Sequence, residues 1–125
     1  MDKQALEDLL RHLIARWEGE VVEFKQAGRD YDTDKIGRYF SAMANEANMR
    51  SEEKAWLVFG VDNASRTVVG TDYRPEPERL QSLKMQISAE TEPSITLRDI
   101  HELQTEQGRV LLLEIPAAPQ GTPIA

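Results

Sequence analysis

The segment Ala55-Trp56-Leu57-Val58-Phe59-Gly60-Val61 is the most apolar stretch of the chain. It is far too short to cross a bilayer, which takes about 20 apolar residues in a helix. An unbroken apolar run of this length reads as a strand buried on both faces, whereas a half-buried strand alternates. The segment therefore predicts a central strand of a sheet covered by helices. Asp62-Asn63-Ala64-Ser65 has turn chemistry, and Thr67 to Val69 is expected to return as a short strand, making a hairpin.

The remaining elements are placed by periodicity. Leu6, Leu9, Leu10, Leu13, Ile14 and Trp17 recur at three-to-four spacing, which predicts a helix over 3–17 capped by Asp2. Gly19 breaks it, and residues 20–25, with Val21, Val22 and Phe24, read as a strand. A polar loop over 26–32 leads to a second helix capped by Thr33 or Asp34 and reaching Asn48. Its apolar stripe is Ile36, Phe40, Met43, Ala44 and Ala47. Residues 49–54 read as a loop, and Pro75 and Pro77 punctuate the chain before a third helix over 76–89 with Leu80, Leu83 and Ile87 inward. Strands are expected over 95–103 and 109–115, joined by a turn over 105–108. The order α-β-α-β-β-α-β-β mixes hairpins with helical crossovers. It predicts an α/β (mixed α+β) fold, a single domain over 1–125 with a mixed central sheet covered by helices.

Charge and composition narrow the function. Lys plus Arg is 15 and Asp plus Glu is 22, a formal net charge of −7. Such a balance opposes binding to nucleic acid or anionic membrane over the whole surface, because phosphate binding needs neutralising cations. A local basic face is compatible with it. There is no cysteine, which removes disulfides, zinc thiolates and thiol catalysis from consideration. Met1-Asp2-Lys3-Gln4 lacks the pattern of a signal peptide, so the expected location is the cytoplasm, with no membrane partner. The sequence has no Walker-type loop, dinucleotide fingerprint or nucleophile elbow. His12 and His101 stand apart without a local partner, which disfavours histidine-activated nucleophiles.

Two constellations could carry chemistry. Glu18 and Glu23 flank the start of the first strand, and Asp62 ends the apolar central strand. If these strands are neighbours, the three carboxylates could form an oxygen cage for Mg²⁺ or Mn²⁺, which would activate water against a phosphodiester. The plainer reading makes Glu23 and Lys25 a surface ion pair and Asp62 a turn cap. The second constellation is cationic. Lys25, Arg29, Lys35 and Arg38 fall close together, with Tyr31 and Tyr39 among them for stacking or hydrogen bonding, and Arg50, Lys54 and Arg66 expected near the same end. Here the plainer reading is a solvated face, since Asp30, Asp32 and Asp34 interleave with these cations.

Several motifs in order resemble the Schlafen AlbA-type domain family. They are Glu18 followed by Glu23-Phe24-Lys25, a helix ending Ala42-Met43-Ala44-Asn45, Trp56-Leu57-Val58-Phe59-Gly60-Val61-Asp62, and Val69-Gly70. Glu92-Pro93, Leu111-Leu112-Leu113-Glu114-Ile115-Pro116 and Gly121-Thr122-Pro123-Ile124 complete the series, which runs from Glu18 to Ile124. The family is described as a DNA-binding domain of bacterial transcriptional regulators and helicase-like proteins. The resemblance implies an N-terminal module of a longer cytoplasmic protein, with further C-terminal domains as partners. It also implies, from the eukaryotic branch, a metal-dependent endoribonuclease whose three carboxylates would be Glu18, Glu23 and Asp62. That nuclease has a duplicated core, so a single copy would have to form a homodimer to act alike. The Gly-Gly that often follows the Ala-x-Ala-Asn helix end is replaced here by residues 46–54 without glycine.

The expected function is nucleic-acid binding, with Lys25, Arg29, Lys35 and Arg38 on phosphates and no cofactor required. The alternatives are the Mg²⁺- or Mn²⁺-dependent ribonuclease and a protein-interaction or sensory domain. The last would be marked by an exposed apolar patch near the C-terminal prolines.

Overall fold

The computed structural model describes residues 2–15, 21–91 and 96–119. The elements in order are α1 (Lys3–Ala15), β1 (Val21–Lys25), α2 (Thr33–Met49), β2 (Lys54–Phe59), α3 (Pro77–Glu90), β3 (Asp99–Thr105) and β4 (Gly108–Pro116). One four-stranded sheet has the order β1-β2-β4-β3. β1 runs parallel to β2, with Val21 beside Ala55 and Lys25 beside Phe59. β4 is antiparallel to both β2 and β3. The sheet is mixed because α2 carries the chain back for a parallel pairing, whereas β3 and β4 form a hairpin.

β2 is the central strand that its apolar run predicts. Ala55, Leu57 and Phe59 join one buried cluster, with Ile36, Phe40, Met43, Ala44 and Ala47 of α2 and Leu80, Leu83 and Ile87 of α3. Trp56 and Val58 point the other way, into a second cluster with Leu6, Leu10 and Leu13 of α1. Alternate residues thus bury on opposite faces, and no position of the strand interior faces water. The strand stops at Gly60, whose φ of +100° is the left-handed region that favours glycine. A Cβ there would also stand 2.6 Å from the Arg109 carbonyl oxygen.

Several boundaries shift from the sequence-based expectation. Asp2 caps α1, its Oδ1 accepting from the Ala5 amide at 2.8 Å. The α2 cap is Asp32 rather than Thr33 or Asp34, with Oδ1 accepting from the Asp34 amide at 2.9 Å. Where the resembling family often carries Gly-Gly, α2 continues to Met49 and the chain turns at Ser51, which has a φ of +59°. The return strand over 67–69 is reduced to a single antiparallel bridge, Val61 to Val68, after a turn in which Arg66 has a φ of +58°. β3 begins and ends later than 95–103 and runs through Thr105 because the β3–β4 turn is a tight one. Thr105 Oγ1 accepts from the Gln107 and Gly108 amides and closes it.

Candidate nucleic-acid interface

Lys25, at the end of edge strand β1, shares a sheet face with Val21 and Glu23, the face that α2 covers. After β1 the loop turns at Ala27, whose carbonyl accepts a hydrogen bond from Thr71 Oγ1. The Tyr31 amide bonds to the Gly28 carbonyl at 3.2 Å. The Tyr31 ring packs on Phe59 with centroids 5.3 Å apart, and Phe59 meets the edge of Tyr73 at 5.4 Å. This aromatic row fixes the loop against the sheet. It delivers Tyr31 to the start of α2, where Lys35, Arg38, Tyr39 and Ala42 follow at helical spacing on one side.

Lys25, Tyr31, Lys35, Arg38, Tyr39 and Ala42 line one cleft of about 530 Å³. Three of the four cations expected to contact phosphate therefore converge, together with both tyrosines. The Lys25 ammonium stands 4.8 Å from the Tyr39 ring centroid, and the Lys35 ammonium 5.9 Å from that of Tyr31. A hydrogen bond to Tyr39 holds the Lys25 ammonium above its ordinary range, with the Glu23 carboxylate adding to the effect, so Lys25 stays charged. Burial pushes the Tyr31 phenol up, and Tyr39 beside it acts in the same direction, so Tyr31 stays neutral. Lys35 and Arg38 are exposed and form no ion pair among the described residues.

Arg29 departs from the group. It lies outside the cleft lining, 3.9 Å from Asp72 and 4.0 Å from Glu76. Lys54 and Arg66 do not join the cleft either. Lys54 begins β2, at the end opposite Phe59, and pairs with Glu114 at 3.6 Å. Arg66 lies over Phe24 on the α1 face and donates to the Ile14 carbonyl at 3.3 Å. Arg50 follows the far end of α2, roughly 18 Å along the helix from Arg38 at about 1.5 Å per residue.

The carboxylates are placed less suggestively. Glu18 lies outside the described residues. Glu23 pairs with Lys25 at 3.5 Å. Asp62 Oδ1 accepts from Gln26 Nε2 at 2.8 Å, and its Oδ2 accepts from the Ser65 amide at 2.9 Å and Ser65 Oγ at 2.7 Å. Those bonds, Ser65 Oγ foremost, hold the Asp62 carboxyl below the ordinary range. Gln26, its link to β1, is roughly 10 Å of strand beyond Glu23 at about 3.3 Å per residue. Among the described residues no group of three or more His, Asp or Glu is positioned to hold a metal ion.

Two features escaped the sequence reading. The first is the cation-over-ring pairing; its signal is the spacing of Lys35, Arg38, Tyr39 and Ala42 on one face of α2, beside the apolar stripe. The second is buried Glu114, which gathers Lys54, Arg98 at 3.8 Å and His101 at 3.4 Å across strands, a grouping no local spacing reveals. A larger cleft of about 650 Å³ lies between α1 and the β3–β4 hairpin. Its lining mixes Lys3 and Arg11 with Glu7 and Glu106 and has no aromatic ring. The exposed large apolar side chains among the described residues, Met49, Val69 and Met85, come from α2, a loop and α3, and the described C-terminal segment adds none.

A mixed sheet sandwiched by helices, with a cleft lined by cations and tyrosines at one edge, defines a small α/β domain. The chain belongs to the Schlafen, AlbA_2 family, whose family profile matches residues 18–124. Among solved structures it is similar to the N-terminal domain of an ATP-dependent DNA helicase RecG-related protein from Nitrosomonas europaea. That match has 23% identity and a TM-score of 0.59 and covers 90% of this chain and 73% of the other. It is also similar to the DIP2311 protein from Corynebacterium diphtheriae, with 18% identity, a TM-score of 0.57 and coverage of 97% of this chain. The chain spans 24% of the length of that second structure. Both likenesses concern the fold. No curated protein matches. Among the described residues no helix is long and apolar enough to cross a membrane.

Proposed function

We propose that this domain binds nucleic acid as one module of a longer DNA-acting protein, a regulator or a helicase-like enzyme. The observation that carries the reading is the convergence of Lys25, Lys35 and Arg38 with Tyr31 and Tyr39 in one cleft. Cations neutralise phosphates, and rings accept bases. The RecG-related neighbour, itself an N-terminal domain, supports the modular setting. A net charge of −7 makes the cleft the place where an anionic polymer can be tolerated. Arg29, outside the cleft lining and beside Asp72 and Glu76, contributes less to phosphate binding.

The test is fluorescence anisotropy with labelled oligonucleotides between about 50 and 200 mM salt. Lys35→Ala and Arg38→Ala should each weaken binding and flatten the log–log salt slope by about 0.7–0.9. Arg29→Ala should do less, because its cation is already paired. Binding unchanged in both cleft variants would sink the reading. The ribonuclease reading with Glu18, Glu23 and Asp62 draws less support, since Lys25 engages Glu23 while Ser65 and Gln26 engage Asp62. Incubation with structured RNA and Mn²⁺ tests it, and cleavage abolished by Glu23→Ala would favour it over simple binding.

A further inference from the structure

The cleft is more selective than a cation patch. Its volume of about 530 Å³ falls in the range of about 300–1,000 Å³ that encloses one small-molecule-sized ligand. That suits a nucleotide unit, whereas a duplex would lie across the opening. A duplex also presents one phosphate charge per roughly 1.7 Å of axis and rewards a long track of cations. Here the track is three residues, and exposed Asp30, Asp32 and Asp34 border it in the chain.

The rings sharpen the distinction. Stacked bases in a duplex show only their edges, while single strands offer base faces to aromatic side chains. In the free protein the Lys25 and Lys35 ammonium groups occupy positions over the Tyr39 and Tyr31 rings. A cation held over a ring near the surface is weakly bound, and a phosphate attracts it more strongly. A phosphate arriving at the cleft would draw Lys35 from Tyr31 and, in competition with the Glu23 carboxylate 3.5 Å from its ammonium, Lys25 from Tyr39, uncovering ring surface for a base. Phosphate capture and base stacking are then coupled steps.

We infer that the cleft takes nucleic acid as a single strand, one nucleotide at a time. The base lies against Tyr39 and Tyr31, and the adjoining phosphates lie on Lys25, Lys35 and Arg38. This rests on the nucleic-acid reading above and narrows it.

The experiment compares a labelled single strand without self-complementarity, the same strand with abasic positions, and the duplex of that strand with its complement. The intact single strand should bind about tenfold or more tighter than the other two. Its salt slope should be near −2, from three contacts at about 0.7 each. Tyr39→Leu should cost about tenfold in affinity with the salt slope unchanged, whereas Arg38→Ala should lower the slope. Tyr31 packs on Phe59, so Tyr31→Leu is read beside its thermal unfolding curve, and the abasic strand probes stacking without altering the protein. Duplex binding as tight as single-strand binding, still weakened by Arg38→Ala, overturns this inference and leaves the nucleic-acid reading standing. So does indifference to the abasic strand. Failure to bind any of the three overturns both.

Discussion

Asp62 shows how a residue's role turns on its neighbours. It is the acid that the sequence offers to a cation site, and in the structure its oxygens accept from three donors of Ser65 and Gln26. These bonds favour the charged form, so the folded-state pKa is depressed. The stabilisation is fully present above the ordinary aspartate value of 3.8 and is lost as pH falls through the lower folded value. A carboxyl NMR titration should give a midpoint below 3.8 for Asp62, and Ser65→Ala should move it back toward that value. A midpoint at or above 3.8 in the intact protein would contradict the hydrogen-bonded arrangement. The turn chemistry of Asp62-Asn63-Ala64-Ser65 was legible from residue types alone, because Asx side chains bond to amides a few positions on. The Gln26 contact was not, because it joins residues brought together only by the β1–β2 pairing.

Individual elements follow local rules closely, and their ends are where competing rules meet. The buried stripe of α2 is Ile36, Phe40, Met43, Ala44 and Ala47, as its spacing predicts. The adjoining face carries Lys35, Arg38, Tyr39 and Ala42 into the cleft. One helix thus serves the core and the candidate site through neighbouring faces. Its cap falls one or two residues before Thr33 or Asp34, because Asp32, Thr33 and Asp34 are all competent caps and only the extended backbone at Asp32 selects among them. Asp32→Ala should destabilise the domain by about 0.5–2 kcal/mol. Thermal or urea unfolding measures this, and the variant should also loosen the α2 start from which Lys35 projects. The hairpin after β2 fared worse at this scale. Thr67 to Val69 has strand composition but finds a single bridge, since bridging needs a partner in register and not only a β-branched sequence.

Across the whole molecule, one sheet separates two cores that share β2 and β4. Leu13 fills the α1 side and Leu83 the side of α2 and α3, and both are fully buried. Leu13→Ala and Leu83→Ala should each cost about 2–5 kcal/mol. Because both cores load the same strands, each variant should unfold in a single transition by circular dichroism and tryptophan fluorescence. Separate transitions would mean that α1 is an independent layer. The surplus acid is a property of this scale too. It gathers in no metal cage among the described residues, and a local excess of cations sits at the cleft.

What the sequence by itself determined is the set of elements, the central place of Ala55 to Val61, and membership of a family whose motifs run in order along the chain. Those depend on periodicity, turn chemistry and motif order, which act over a few residues each. The tertiary structure alone decided which charges share a surface. Lys25 and Arg38 line one cleft because β1 is an edge strand under α2, whereas Arg29, nearer to Lys25 in the chain, turns to Asp72 and Glu76. Charge proximity in space is set by strand order and helix packing, and neither is written in the spacing of the charges themselves.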